Sequence, residues 1–369
     1  MKKLKFLSIF VPFNTRVRMK AVIDEKIPYL RDALASMGVE VVALPGSAIT
    51  KDDLMDAQAL FVRTRTRCDA ALLEGTAVRF VGTATIGYDH IDAEYCSANG
   101  IYWTNAAGCN AGAVLQYVQS VIYSWARDFG RDIAGLTLGV VGLGEIGSRV
   151  AAWAAGVGMR VIANDPPKAA IGHEGLVPLG QVAAECDIIT FHPTLNVDGE
   201  YRSWHLADSG FFASLKHCKL FVNASRGAVV DNAALLQALE TGKVECAAID
   251  VWENEPDISI PLLNNVYIAT PHIAGYSAEG KMNATSIVLR EFAHYIGYAG
   301  EIPVLRLAAP EHQCVKAACE SEALLSIYSP LEDTVALKKA PWDFEKLRNN
   351  YRLRREPVAY SIEINGNVD

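Results

Sequence analysis

No stretch of the 369 residues stays apolar long enough to cross a membrane as a helix. No C-x-x-C pair occurs among the eight cysteines, at 68, 96, 109, 186, 218, 246, 314 and 319. The nearest two, Cys314 and Cys319, have no second pair and no paired histidines beside them. That argues against a zinc site and, at this length, against a disulfide framework. Most of these thiols are expected to be small buried apolar groups, reduced as in a cytoplasmic protein. No long block of one charge sign is present either. The net charge of −8 is spread along the chain and gives no pull toward nucleic acid or an anionic membrane. A small anionic ligand would therefore need a local basic pocket. Short repeats and low-complexity tracts are also missing.

What the chain does have is ordinary globular composition, 51% hydrophobic and 21% charged, sufficient for two or three cores. The N-terminal MKKLKFLSIFVPFNTRVRM is basic and then apolar. However, the apolar part is short, Pro12 breaks it and no small-x-small cleavage site comes after it, so it does not read as a signal peptide. Residues 1–18 are expected to be a disordered extension, with Met19 as the true start. From there the pattern alternates. KAVID (20–24), VEVVALP, ALFVRT (59–64) and VRFVGTAT (78–85) read as strands, and PYLRDALASMG (28–38) as a helix ending on its glycine. A second alternation begins near residue 137 with TLGVVGLG. It continues through MRVIAND, CDIITFH (186–192), CKLFVNAS (218–225), VECAAIDV (244–251) and VYIATPH (266–272).

Short apolar strands separated by helices predict an α/β fold with two doubly wound parallel sheets. Long helical segments at 110–129 and 277–297 flank the second block, so the first domain is expected to be discontinuous. Its bounds would be 19–108 with 274–300, around a dinucleotide domain at 109–273. From 301 the texture becomes proline-rich and charged, which predicts a small third module at 301–369.

Four groups of residues carry chemistry. Gly142, Gly144 and Gly147 form G-x-G-x-x-G between a strand and a helix. The first allows a tight turn, the second close approach of a pyrophosphate, and the third close packing of helix on strand. Asp165 comes after the next strand, where an acid binds the adenine ribose and repels a 2′-phosphate. That favours NAD over NADP, unless the carboxylate is only a turn or helix cap. Arg226, Glu255 and His272 fall at three predicted strand ends, the edge where open α/β sheets bind ligands. Arginine can grip a carboxylate, and histidine can take a hydroxyl proton with a neighbouring acid behind it. Arg63, Arg65 and Arg67 would share one face if their strand continued that far. Arg63 then reads either as an anion ligand or as part of a solvated edge.

These spaced elements together resemble the D-isomer-specific 2-hydroxyacid dehydrogenase family. FVGTATIGYDHID (80–92), AAGCNAGAV (106–114), NDPP (164–167), SRGAVVDNAALL (225–236), DVWENEP (250–256), HIAGYSAEGK (272–281) and the tail segment FEKLRNNYRLRRE (344–356) are similar to one branch of it. Members of that branch oxidise 4-phospho-D-erythronate with NAD in vitamin B6 biosynthesis. The resemblance implies a flavodoxin-like substrate domain, a Rossmann NAD domain and a C-terminal α+β module that forms a homodimer. It implies catalysis by Arg226, Glu255 and His272, with His272 as acid/base. Substrate contacts would come from Thr64, Thr85 and Tyr276. NAD contacts would come from Glu145, Ile146, Asp165, Pro193, Ala224, Ser225, Arg226, Asp250 and Gly275, beside the three glycines.

The chain departs from the family at Pro193-Thr194, where the order is usually reversed, at Thr64, where serine is usual, and in a tail ending at Asp369. Alternative readings are a related dehydrogenase, such as one acting on 3-phosphoglycerate, and a non-catalytic NAD-sensing protein. The tail arginines Arg352, Arg354 and Arg355 either form a solvated basic face or reach a substrate phosphate, in the second case across a dimer.

Overall fold

The structure, a computed structural model, describes residues 19–364, so the expected extension at 1–18 lies outside the described residues. The chain forms two compact units. One comprises the residues up to Cys109 with Lys281–Leu307; the other comprises Asn110–Gly280 with the residues from Ala308 onward. The tail therefore packs with the dinucleotide unit and does not form a third body.

In the first unit, five parallel strands, β1 (Lys20–Asp24), β2 (Glu40–Leu44), β3 (Ala59–Val62), β4 (Phe80–Thr83) and β5 (Tyr102–Asn105), take the order 2-1-3-4-5. That is the flavodoxin-like order. The sheet is covered on both faces, which is why β3 and β4 are buried at every position and do not alternate with polar residues. Ala21, Ile23, Phe61 and Phe80 feed one core, and Val22, Leu60, Val62 and Val81 feed the other. Phe61, Phe80 and Phe292 form an aromatic cluster with ring centroids 5.1–5.4 Å apart.

In the second unit, six parallel strands, β6 (Thr137–Val141), β7 (Arg160–Asn164), β8 (Ile188–Phe191), β9 (Cys218–Asn223), β10 (Val244–Ile249) and β11 (Ile268–Ala269), take the order 11-10-9-8-6-7. A single bridge pairs Leu176 with Ala163 of β7. This adds the position that completes a dinucleotide-type order on the far side of β7. Ile189, Phe191 and Phe221 point into one core and Ile188, Leu220 and Val222 into the other, the period of two expected of strands.

The last predicted strand (266–272) is cut to two residues, and the chain beyond Ala269 runs as loop up to the helix that starts at Ala278. In the tail, β12 (Cys314–Ala317) pairs in parallel with β13 (Ser361–Ile364). Among the described residues no helix is long and apolar enough to cross a membrane. All eight cysteines are free and five are buried, while Cys246 is half-buried and Cys314 and Cys319 are exposed.

Candidate active site

Most helices that come after a strand in the second unit begin at a side-chain cap. Asp208, Asp231 and Ser259 each accept a backbone N–H of the first turn. The helix Glu145–Gly156 begins differently. Its cap is Gly144, which has no side chain to offer, and a Cβ built there would meet nothing within 4 Å. The first N–H groups therefore face open space, as an anion site requires. Gly142 sits at φ +87° in the left-handed region, and a Cβ there would lie 2.6 Å from Pro193 N. At Gly147 a Cβ would lie 2.0 Å from the Gly142 oxygen. Gly142 and Gly147 are demanded by this turn, while Gly144 leaves the helix end open to a ligand, which is the shape a pyrophosphate needs.

Asp165 is a cap and keeps room for a ribose as well. Its Oδ1 accepts Lys168 N at 3.0 Å, capping Pro166–Ala170, and its Oδ2 accepts Leu143 N at 2.8 Å, which pins the glycine turn. Each oxygen keeps a lone pair for a ribose hydroxyl. Pro193 lies directly over Gly142, so the exchanged Pro193-Thr194 order puts a nitrogen without a proton against the turn. Ser225 turns its hydroxyl inward onto Asn223 Oδ1 at 2.8 Å, which leaves backbone as its face toward a ligand. Ala224 is buried beside it. These residues fit a dinucleotide.

The sequence places Arg226, Glu255 and His272 at three separate strand ends, and all three line one cavity of about 470 Å³ with Trp204, Trp252 and Asn254. His272 Nδ1 lies 2.8 Å from Glu255 Oε2. The Trp252 N–H donates to the other oxygen, Oε1, at 2.9 Å. Burial pushes the Glu255 carboxyl up. The hydrogen bond to His272, its charge, the Trp252 N–H and the Arg348 guanidinium together hold it below its ordinary value. Glu255 is therefore an anion. It accepts a hydrogen bond from the Nδ1–H and leaves Nε2 as the lone-pair face of the imidazole. Arg226 is steadied by its own loop, with Nη1 donating to Ser225 O at 2.8 Å. Gly227 brings that loop against the Glu255 loop, since a Cβ there would sit 1.9 Å from the Trp252 oxygen.

His272 has φ +58°, an uncommon conformation for a residue with a Cβ. The surroundings over-determine it. Asp250, wholly buried, accepts Ile273 N at 2.8 Å, Ala274 N at 3.0 Å and Thr270 Oγ1 at 2.6 Å, while its backbone oxygen accepts His272 N at 2.8 Å. Burial raises the Asp250 carboxyl above its ordinary value despite these donors. Three of its four acceptor positions are thus used internally, and one remains for a ligand. Gly275 packs onto Asn110, where a Cβ would clash at 2.0 Å.

From the other side Arg354 donates to the carbonyls of Ile273, Tyr276, Ala274 and Ala113 and to Gln116 Oε1. It is buried, with its guanidinium over Tyr328. Arg354 therefore belongs neither to a solvated face nor to a phosphate site, because its donors are spent on holding the histidine loop. Arg355 likewise is paired with Glu279 at 2.6 Å. The tail residue that does reach the catalytic pair is Arg348. Its Nη1 lies 3.7 Å from Glu255 Oε2, and its Nε donates to Tyr276 Oη at 3.2 Å. The segment FEKLRNNYRLRRE contains it, but sequence cannot say which of five basic side chains points inward.

In the first unit β3 stops at Val62 and Arg63 opens a turn, so the expected alternation of Arg63, Arg65 and Arg67 on one strand face does not occur. Arg63 pairs with buried Asp24 at 3.0 Å, and Arg67 pairs with Asp69 at 2.9 Å. Thr64 is exposed in the turn. Thr85 bonds Thr83 Oγ1 at 2.6 Å and Gly87 O at 2.7 Å. Among the described residues no group of three or more His, Cys, Asp or Glu is placed to hold a metal ion.

A buried acid behind an imidazole, with an arginine across the same cavity at the edge of a dinucleotide sheet, can take a proton while a bound nicotinamide takes a hydride. In class terms the chain is an NAD-dependent dehydrogenase. Residues 111–274 match the D-isomer specific 2-hydroxyacid dehydrogenase, NAD binding domain. The chain is 46% identical over 345 residues to the erythronate-4-phosphate dehydrogenase of Bacteroides thetaiotaomicron, covering 93% of this chain and 99% of that one. It is 42% identical over 356 residues to the enzyme of the same name from Yersinia pestis, covering 94% and 95%. Among solved structures, the NAD-bound 3-phosphoglycerate dehydrogenase of Entamoeba histolytica shares the fold, with a TM-score of 0.63, 23% identity and coverage of 79% and 100%. The chain belongs to the erythronate-4-phosphate dehydrogenase family of D-isomer-specific 2-hydroxyacid dehydrogenases.

Proposed function

We propose that the chain oxidises 4-phospho-D-erythronate to 2-oxo-3-hydroxy-4-phosphobutanoate, the reaction its relatives' names describe, in the formation of pyridoxal 5′-phosphate. The observation that carries this reading is the ready-made pairing of His272 with ionised Glu255 in the cavity that Arg226 also lines. The Nε2 of His272 takes the C2 hydroxyl proton, and the growing imidazolium charge is met by Glu255 at 2.8 Å. Arg226 holds the substrate carboxylate and the developing carbonyl. NAD, when bound, accepts the C2 hydride. Gly142, Gly144, Glu145, Ile146 and Gly147 would hold its pyrophosphate and Asp165 its ribose. Pro193, Ala224, Ser225, Arg226, Asp250 and Gly275 would contact the remainder. Arg63, Thr64, Thr85 and Tyr276 are the proposed substrate contacts.

In this reading residues 19–108 with 274–300 bind substrate, 109–273 bind NAD, and 301–369 form a homodimer contact in the cytoplasm. Exposed Trp342 and Val358, at 80% and 81%, support the dimer contact. Light scattering should then give twice 40.0 kDa, and Trp342→Glu should lower it. The free, mostly buried thiols support the compartment.

The deciding experiment is a substrate panel with NAD, monitored at the absorbance of the reduced cofactor. Phosphorylated erythronate should be turned over at least 100-fold more efficiently than D-erythronate or 3-phosphoglycerate. Equal efficiency with D-erythronate would sink the phosphate-specific reading. A preference for 3-phosphoglycerate would reassign the substrate, and no turnover with any acid would favour a sensing role.

A further inference from the structure

The loop leaving β10 carries two glutamates, Glu253 and Glu255, and each holds a histidine. Glu255 holds His272, the base of the proposed reaction. Glu253 Oε1 lies 2.6 Å from His205 Nε2, and its Oε2 accepts Asn232 N at 2.9 Å, so the carboxylate is anchored on its far side. His205 has φ +50°, and its N–H donates to Ala228 O at 2.7 Å. Ring and backbone are thus both fixed, as an uncommon backbone conformation requires.

This second histidine backs Trp204. The two rings are stacked, with centroids 3.6 Å apart and planes 14° from parallel. The Arg202 guanidinium lies 4.6 Å from the centroid of the same indole. A ring stacked that closely leaves no room beside it, so Arg202 covers the opposite face. Arg202 is held in turn, with Nε donating to Val197 O at 3.1 Å. The N–H groups of Ser203 and Trp204 both donate to Asn196 O, at 2.9 and 3.0 Å, which closes the loop on itself. With both faces covered, the 37% of Trp204 that stays exposed is its edge. Trp204 lines the cavity of about 470 Å³ that holds Arg226 and His272, all within one unit of the chain.

We infer that Trp204 is a specificity-determining residue of this cavity, and that His205 and Glu253 are its positioning residues. The inference takes from the function proposed above only the placing of the acid, with its carboxylate on Arg226 and its C2 oxygen at His272. Those two anchors leave the C2 substituent to fit the remaining wall. A fixed indole edge passes a narrow, linear substituent and rejects a wide, cyclic one, because a packed wall yields little and overfilling it is costly.

The test uses two acids without phosphate, D-lactate and D-phenyllactate, so that only the width of the C2 substituent differs. The readout is the ratio of kcat/KM for D-phenyllactate over D-lactate. NAD titration by fluorescence confirms that each variant folds, and Trp204→Leu stands in if Trp204→Ala does not. Trp204→Ala should raise the ratio about 20-fold or more, within the range that pocket size can supply. Trp204→Phe, which keeps an aromatic edge, should stay within about 3-fold of wild type, and His205→Ala should raise the ratio about 5-fold. Loss of stability alone would lower both rates alike and leave the ratio where it was. An unchanged ratio in Trp204→Ala overturns the inference. Where the wild type turns over neither acid, pyruvate and phenylpyruvate are titrated into the NADH complex instead. A ratio of their Kd values that shifts toward phenylpyruvate in Trp204→Ala upholds the wall; an unshifted ratio, or no binding of either, refutes it. The proposed function is judged separately, by wild-type turnover of 4-phospho-D-erythronate, so either can fail while the other stands.

Discussion

The carboxyl edges of the two sheets carry charge in opposite ways. At the edge of the six-stranded sheet nearly every charged group already has a partner: His272 with Glu255, Glu255 with Arg348, Asp165 with the glycine turn, and Asp250 with three donors. At the edge of the five-stranded sheet one buried aspartate orients one arginine, in a cavity that Lys26 and Arg65 also line. Chemistry that moves a proton needs groups whose geometry is set before the substrate arrives, because misplacement costs rate. Capture of a dianion needs surplus charge and can tolerate solvated side chains. The same fold type thus builds a densely paired edge for reaction and a more open, cation-lined edge.

The contrast can be broken most sharply at the base. His272→Ala should lower kcat by about 10³-fold, within the range for loss of a general base, while leaving NAD affinity within a few fold. Turnover near the wild-type rate would refute its role. Next in size is Asp250→Asn. An amide cannot accept from all three donors, so one buried N–H loses its partner, at a cost of about 2 kcal/mol. The variant should melt several degrees lower and lose about 10-fold or more in kcat as the left-handed His272 relaxes; an unchanged melting temperature would show that the loop is held elsewhere.

A smaller effect is expected at Arg348. Replacing it with Met removes the cation 3.7 Å from Glu255 and frees that carboxylate to favour protonated His272. The acid limb of the kcat/KM profile should move to higher pH and efficiency should fall about 5- to 10-fold, with Arg348→Lys restoring most of both. A purely structural role would lower efficiency without moving the limb.

The smallest effect tests pre-organisation through stability. His192 is partly exposed, but its Nδ1 is enclosed without a hydrogen-bond partner, and burial of the ring holds it down to about 3, against an ordinary 6.5. The folded state therefore refuses a proton that the unfolded state takes, so its contribution is present above pH 6.5 and lost as pH falls toward 3. Between pH 7 and 5 the fold should lose about 2 kcal/mol through this group, and His192→Gln should flatten that slope in denaturant titrations.

Much of this was legible from residue order. KAVID is β1 to the residue, and the long helices at Ala111–Asp128 and Ala278–Tyr295 fall where the periodicity puts them. The strand-end rule found Arg226, Glu255 and His272 because parallel sheets put ligand residues at one edge whatever their separation in sequence. Strand alternation failed for Arg63, Arg65 and Arg67. Where a strand stops depends on pairing with its neighbours, and β4 gives β3 a partner only as far as Val62. The tail was not legible from residue order either. Arg352, Arg354 and Arg355 look alike in sequence, yet Arg354 is a buried clamp and Arg355 an ion pair, while Arg348 was passed over.

By itself, then, the sequence determined the kinds of chemistry available: a glycine turn for an anion, an imidazole with an acid, and arginines for oxyanions. Those come from side-chain type and the periods of helix and strand. Only the tertiary structure decided which donors are spent and which remain. That depends on carbonyls and carboxylates brought close from 80 or more residues away, as when Arg354 closes on Ile273 and Ala274 and fixes the loop that carries His272.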